Sequence, residues 1–175
     1  CYLTGKELRA VAEVDASVTP LMPAAQLYTA GMSYSFNTHR LPFNRVTGVW
    51  LTGEKTTVLS EKHTETEIWK NDLEDDRLYR VVTGMYSAQM LDTVKDRSFG
   101  LLSIVPKDER GEPVTDFFQR ILRDRNGNEI KEWYALAAYL RFFGEKGVPN
   151  AYALSGGDGR KQVSHSWSPG QLLGH

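Results

Sequence analysis

Cysteine is all but missing from this sequence. Cys1 is the single one in 175 residues, so no disulfide can form within the chain and a Cys-rich zinc site is excluded. Charge of one sign is missing as well. Twenty-one Lys and Arg stand against 22 Asp and Glu, a formal net charge of -1, which leaves no field to hold a polyphosphate backbone or an anionic membrane, so nucleic acid is not an expected partner. No apolar run approaches the roughly 20 residues of a spanning helix, and no basic stretch leads into an apolar one at the N-terminus. Neither a membrane span nor a signal segment is expected, and cysteine usage alone does not fix the compartment.

What is present is enough for one core: 41% of the residues are hydrophobic, and the length suits a single domain. Thr4 and Glu7 have capping-box spacing, with Leu8, Val11 and Ala12 on one face behind them, which predicts a helix over Thr4–Val14. Met32, Tyr34 and Phe36 alternate with Ser33 and Ser35, and Arg45 to Leu51 resumes an extended pattern, so two paired strands are expected. From Thr52 to Asp76 the chain is polar and reads as a weakly structured connection with a short element near Ile68. Leu78 to Thr83 reads as a buried strand, Ser87 as the cap of a helix reaching Val94, and Phe99 to Val105 as a further apolar extended run. Asn126-Gly127 supplies a tight turn. Trp133, Leu136, Ala137, Leu140 and Phe143 then mark one face of a helix over Glu132–Phe143, closed by Gly144. The expected class is α+β, a mixed sheet of about four to six strands flanked by these helices.

The run Tyr79-Arg80-Val81-Val82-Thr83-Gly84-Met85-Tyr86, continuing to Asp92, resembles the strand-to-loop segment of the C-terminal, substrate-specificity domain of the bacterial 5'-nucleotidase and UDP-sugar hydrolase family, whose pattern is Tyr-x-Val-x-Thr-Asn-x-Phe before a Gly-Gly-Asp turn. Leu3-Thr4-Gly5-Lys6-Glu7-Leu8 resembles that family's Leu-Thr-Gly-x-x-Leu helix start, and Gly31 to Phe36 falls where its next strand lies. Carried over residue by residue, the resemblance implies that Tyr86 stacks on a nucleobase and that Asp92 binds the ribose hydroxyls. It also implies a nucleotide or nucleoside-like ligand and an extracellular, cell-wall or periplasmic location. The sequence departs from the pattern at Met90 and Leu91, which replace the two glycines of the ribose-binding turn.

Residues 1–155 then correspond to part of such a domain, with its upstream part missing, and 156–175 to a flexible polar tail. The resemblance places the chemistry elsewhere: two divalent metal ions in an N-terminal metallophosphoesterase domain, the expected intramolecular partner. The Asp-x-His, Gly-Asn-His and Gly-His-x-His motifs that clamp such a pair do not occur here, so no cofactor, metal ligand or catalytic residue is expected in this chain. His39, His63, His165 and His175 lie scattered in polar stretches, and Gly156-Gly157-Asp158-Gly159 follows no Tyr-x-Val-x-Thr strand. Without the upstream strand and helix, apolar surface and a strand edge near Leu3 are expected to stay open and to favour self-association.

Two readings of the aromatic stand side by side. An exposed ring gives a base a flat contact of roughly 1–3 kcal/mol, and a carboxylate accepts hydrogen bonds from vicinal hydroxyls. Alternatively, Tyr86 is a core aromatic at a strand end and Asp92 a solvated helix residue. The rival function is a noncatalytic ligand-binding or cell-surface module that retains the scaffold.

Overall fold

The structure is a computed structural model that describes residues 1–23, 26–60, 63–91, 100, 102–148 and 159–167, without side-chain detail for 54–68 and 146. In chain order the elements are β1 (Tyr2–Thr4), α1 (Gly5–Val18), β2 (Met32–Asn37), β3 (Val46–Ser60), β4 (His63–Asp72), β5 (Leu78–Arg80), α2 (Met85–Gln89), α3 (Glu132–Phe143) and β6 (Lys161–Ser164). A short 3-10 turn at Phe117–Arg120 precedes α3, and another at Gly144–Lys146 follows it. The fold is α+β. Four strands form a mixed sheet in the order β4-β3-β2-β6, in which only the β2–β6 pair is parallel, and β1 pairs antiparallel with β5 in a separate small sheet.

Helix α1 begins where its cap dictates. The Thr4 hydroxyl accepts from the Glu7 backbone N–H at 3.2 Å, and the Glu7 carboxylate accepts from the Thr4 N–H at 2.8 Å, so both halves of the capping box are made. The helix runs four residues beyond the expected Val14. Leu8 and Ala12 project from it into a core completed by Leu3, Met32, Tyr34, Val49, Leu73 and Ile104. Each large aliphatic side chain buried there contributes about 1.5–3 kcal/mol.

Several sequence expectations need correction. The polar stretch from Thr52 to Asp76 is no loose connection: β3 and β4 form one long antiparallel ribbon in which Lys55 stands opposite Glu67 and Thr56 opposite Thr66. Threonine counts as polar in a hydropathy reading, yet its β-branched carbon favours the extended backbone. The strand expected over Leu78–Thr83 shrinks to Leu78–Arg80, because β1 is short and its ladder ends at the Cys1–Val81 bonds. Helix α2 starts behind Gly84, with no side-chain cap, and not at Ser87; positions 92–94 of the expected helix lie outside the described residues. Lys161–Ser164, expected in a flexible polar tail, instead extends the sheet alongside β2.

Strand β1 is not the open edge anticipated near Leu3. It has β5 on one side and exchanges two backbone hydrogen bonds with Lys107 on the other, and Leu3 is buried. The hairpin turn at Asn126-Gly127 forms as its residues require. The Asp124 carboxylate accepts from the Asn126 and Asn128 N–H groups, and Gly127 adopts φ 83. No helix among the described residues is long and apolar enough to cross a membrane.

Candidate functional site

Strand β5 delivers the chain to Val81, whose N–H donates to the Cys1 carbonyl at 2.8 Å. Val82 and Thr83 belong to no strand or helix, and Gly84, at φ -65 and ψ 148, leads the backbone into α2. Tyr86 stands in the first turn of that helix with 76% of its surface exposed. Its neighbours behave differently: Tyr79, Val81 and Leu91 pack on the core and Ala88 is buried. The ring is therefore no core aromatic. It presents a face that can take a flat ligand, the geometry that base stacking requires. Asp92, the expected ribose ligand, lies outside the described residues.

Beside α2 opens a cleft of about 770 Å³, walled by Arg80 to Met85 and Ala88, by the Phe117–Arg120 turn and the two residues after it, and by Ile130 to Glu132 of the α3 entrance. Met85 and Ala88 face it and Tyr86 does not. Successive helix residues step about 100° around the axis, so Tyr86 occupies another side of α2. Most cations of the cleft are engaged. Lys107 pairs with Glu7, Arg120 with Glu109 at 3.2 Å and Asp108 at 3.8 Å, and Lys131 with Glu129.

Nothing among the described residues groups three His, Cys, Asp or Glu side chains so as to hold a metal ion. The nearest approach is His39 and His165, read from sequence as isolated. Their rings meet edge to face with centroids 6.3 Å apart, and Thr38 hydrogen-bonds His165 Nδ1 at 2.8 Å. Two imidazoles without a third donor fall short of the three or four ligands of a zinc site. The described residues thus do not fit a metal pair. His63 lies in β4, where side chains are not described; His175 and Gly156 to Asp158 lie outside the described residues.

No protein-family model, curated protein or solved structure compared with the chain matches it.

The strongest electrostatics sit away from Tyr86, in buried carboxylates of α1, of which the sequence reading notes only Glu7, as a cap. Asp15 is buried; its Oδ1 accepts from the Leu27 N–H at 2.6 Å and from Thr19, while Oδ2 accepts from Lys161 Nζ at 2.7 Å and from the Tyr34 hydroxyl. Burial alone would raise the Asp15 carboxyl, but these donors outweigh it and hold the group below the usual aspartate range. Burial first, and then the Asp15 charge, push the Tyr34 hydroxyl far above its ordinary value. Glu7 follows the same logic as Asp15, with burial overcome by Lys107 and by the Thr4 and Val105 N–H groups.

Glu13, also buried, accepts from Ser17 and from the N–H groups of Arg45 and Val46. Ser17 in turn accepts from the N–H of Phe43, a residue held at φ 64. A sequence signal for Asp15 existed, since it lies seven residues after Leu8 and hence on the apolar stripe of α1.

Proposed function

We propose that this chain is the base- and ribose-recognising domain of a 5'-nucleotidase-type metallophosphohydrolase, an exported enzyme that hydrolyses phosphate esters of nucleotides. The exposed Tyr86 ring carries this reading. It stands two residues beyond Gly84, after the Tyr79 to Thr83 segment whose pattern resembles the family, and its free face suits a nucleobase. Energy from binding base and ribose here would be used to place the distant phosphate, so that removing the contact lowers turnover as well as affinity. The two divalent metals implied by the resemblance belong to an N-terminal domain outside this chain.

Tyr86→Ala is expected to lose about 1–3 kcal/mol of nucleoside and nucleotide binding alike, because the ring contacts the base and not the phosphate. Titration of adenosine and AMP into the 175-residue chain, followed by ligand-observed NMR, measures it. Unchanged binding in the variant removes Tyr86 from the site. The chain by itself is expected to release no phosphate from AMP or UDP-glucose with Mn²⁺ or Zn²⁺. Metal-dependent release that survives repurification would place a catalytic centre inside it.

One observation favours the rival reading, a noncatalytic ligand-binding or cell-surface module. Leu91, at one of the two glycine positions of the family's ribose turn, packs on the core, a role glycine cannot fill. Failure of both adenosine and AMP to bind the unmodified chain would favour that module.

A further inference from the structure

The cleft beside α2 does not include Tyr86, so what binds there is independent of the nucleotide site. Its volume of about 770 Å³ falls within the range of about 300–1,000 Å³ usual for small-molecule sites. Large apolar side chains stand open to solvent on its wall: Val82 is 70% exposed, Phe118 67%, Ile130 46% and Leu122 42%. A concavity walled this way accepts an apolar body, and the charges around it select what that body carries.

Five of the seven charged side chains on the wall are already paired, Lys107 with Glu7, Arg120 with Glu109 and Asp108, and Lys131 with Glu129. The two that remain, Arg80 and Glu132, are exposed and have no ion pair or side-chain hydrogen bond among the described residues. They stand at opposite ends of one segment. Arg80 is the last residue of β5, and the Glu132 carboxylate reaches from the start of α3 to Gly84, 3.1 Å from the place a Cβ there would take. Between them lie Val81, Val82 and Thr83. The ladder of β1 and β5 ends at the bonds between Cys1 and Val81, and the backbone N–H and C=O groups of Val82 and Thr83 have no partner among the described residues.

We propose that this cleft binds a short apolar peptide with free ends, running antiparallel to Val82–Gly84, with its carboxylate at Arg80 and its amino group at Glu132. Charge sets the direction, because each end of the peptide belongs beside the side chain of opposite sign. The result is the sense in which β1 already pairs with β5. Length agrees as well. The four residue steps from Arg80 to Gly84 span at most roughly 13–14 Å, and three extended residues roughly 10–11 Å, a difference that the long Arg and Glu side chains can close.

The unpartnered backbone groups of Val82 and Thr83 offer main-chain hydrogen bonds, while the apolar wall receives side chains, as when an extended peptide is added to a strand edge. One free cation and one free anion favour a zwitterion. A fatty acid would set its apolar tail against the Glu132 charge, and an apolar amine would leave Arg80 unanswered.

The test is calorimetric titration of the tripeptide leucyl-alanyl-leucine, and of its N-acetylated and C-amidated forms, into the 175-residue chain, with circular dichroism to verify folding. The free tripeptide is expected to bind, and each blocked form to bind about three- to fivefold more weakly, the yield of one exposed charge pair. Arg80→Gln should abolish the difference between acid and amide and keep that between free and acetylated amine; Glu132→Gln should do the reverse. Val82→Glu, on the wall, should weaken all three ligands, whereas Leu140→Glu, exposed on α3 outside the cleft, should weaken none. Failure of the free tripeptide to bind, equal affinity for the three forms, or a loss of binding through Leu140→Glu and not through Val82→Glu would each overturn the inference.

Discussion

Asp15→Ala is expected to lower the unfolding free energy by about 3–5 kcal/mol, the cost of removing one partner from a buried charged pair. The substitution strands four donors at once: the Tyr34 hydroxyl, Lys161 Nζ, the Leu27 N–H and the Thr19 hydroxyl. Tyr34 is fully buried and cannot recover its bond from water. Lys161 opens β6, so the same change should release that strand from β2 and speed hydrogen exchange over Lys161–Ser164 before the rest of the sheet. Urea denaturation supplies the free energy, and a midpoint equal to that of the unmodified chain would show that the network does not hold β6.

The pH dependence follows from the same atoms. Asp15 and Glu7 are lowered in the folded state, so their contributions are complete above the unfolded carboxyl values near about pH 4 and are lost as pH falls through the folded ones. Tyr34 is raised; its contribution is complete below the unfolded tyrosine value of about 10 and is lost as pH rises beyond it. Between these limits the half-buried amino group of Cys1, which burial lowers from its ordinary value, makes stability rise gently as pH climbs towards about 8. Asp15→Ala should shrink the acid limb, leaving the part due to Glu7 and to the lowered surface carboxylates Asp108, Glu109, Asp124 and Glu129, and Tyr34→Phe should flatten the alkaline limb.

Gly5→Ala is expected to cost about 3 kcal/mol, at the upper end of ordinary overpacking. A Cβ on Gly5 would stand 2.2 Å from the Glu74 carbonyl oxygen and 2.8 Å from its carbon, both backbone atoms that no rotamer change can move. The contact is close because the first turn of α1 donates to the 74–77 turn, Gly5 N–H to Arg77 at 3.2 Å and Lys6 N–H to Asp75 at 3.0 Å. Alanine's better helix propensity returns at most about 1 kcal/mol. A variant as stable as the unmodified chain in urea would mean that the 74–77 turn yields to the methyl group and that the glycine is not required by this contact.

The glycine of Leu3-Thr4-Gly5 was visible as part of a motif, but its reason was not, since Glu74 lies 69 positions further along the chain. The same division runs through the candidate site. Tyr86 was picked out by its place after a Tyr-x-Val-x-Thr segment, while the choice between a core ring and a free one rested on which neighbours turned inward. Tyr79, Val81, Ala88 and Leu91 do so, and that leaves Tyr86 outside. The cleft beside α2 had no sequence signature at all, because its walls come from five separate stretches of chain.

What the sequence determined by itself was whatever closes within a few residues. The start of α1 rests on a bond between positions 4 and 7, the turn at Asn126-Gly127 on Asp124 and a glycine at positive φ, and the end of α3 on Gly144 at φ 51. Tertiary structure alone decided where partners lie far apart in the chain. The extension of α1 past Val14 accompanies bonds from Glu13 and Ser17 to positions 43–46. The β3–β4 ribbon draws on cross-strand pairing that a hydropathy reading does not register, and β6 joins β2 through Lys161 and an aspartate 146 residues away. A buried carboxylate is tolerable only when donors converge on it; the apolar stripe of α1 could mark Asp15 as inward-facing, but the strands it ties to the helix lie too far along the chain to be read from its neighbours.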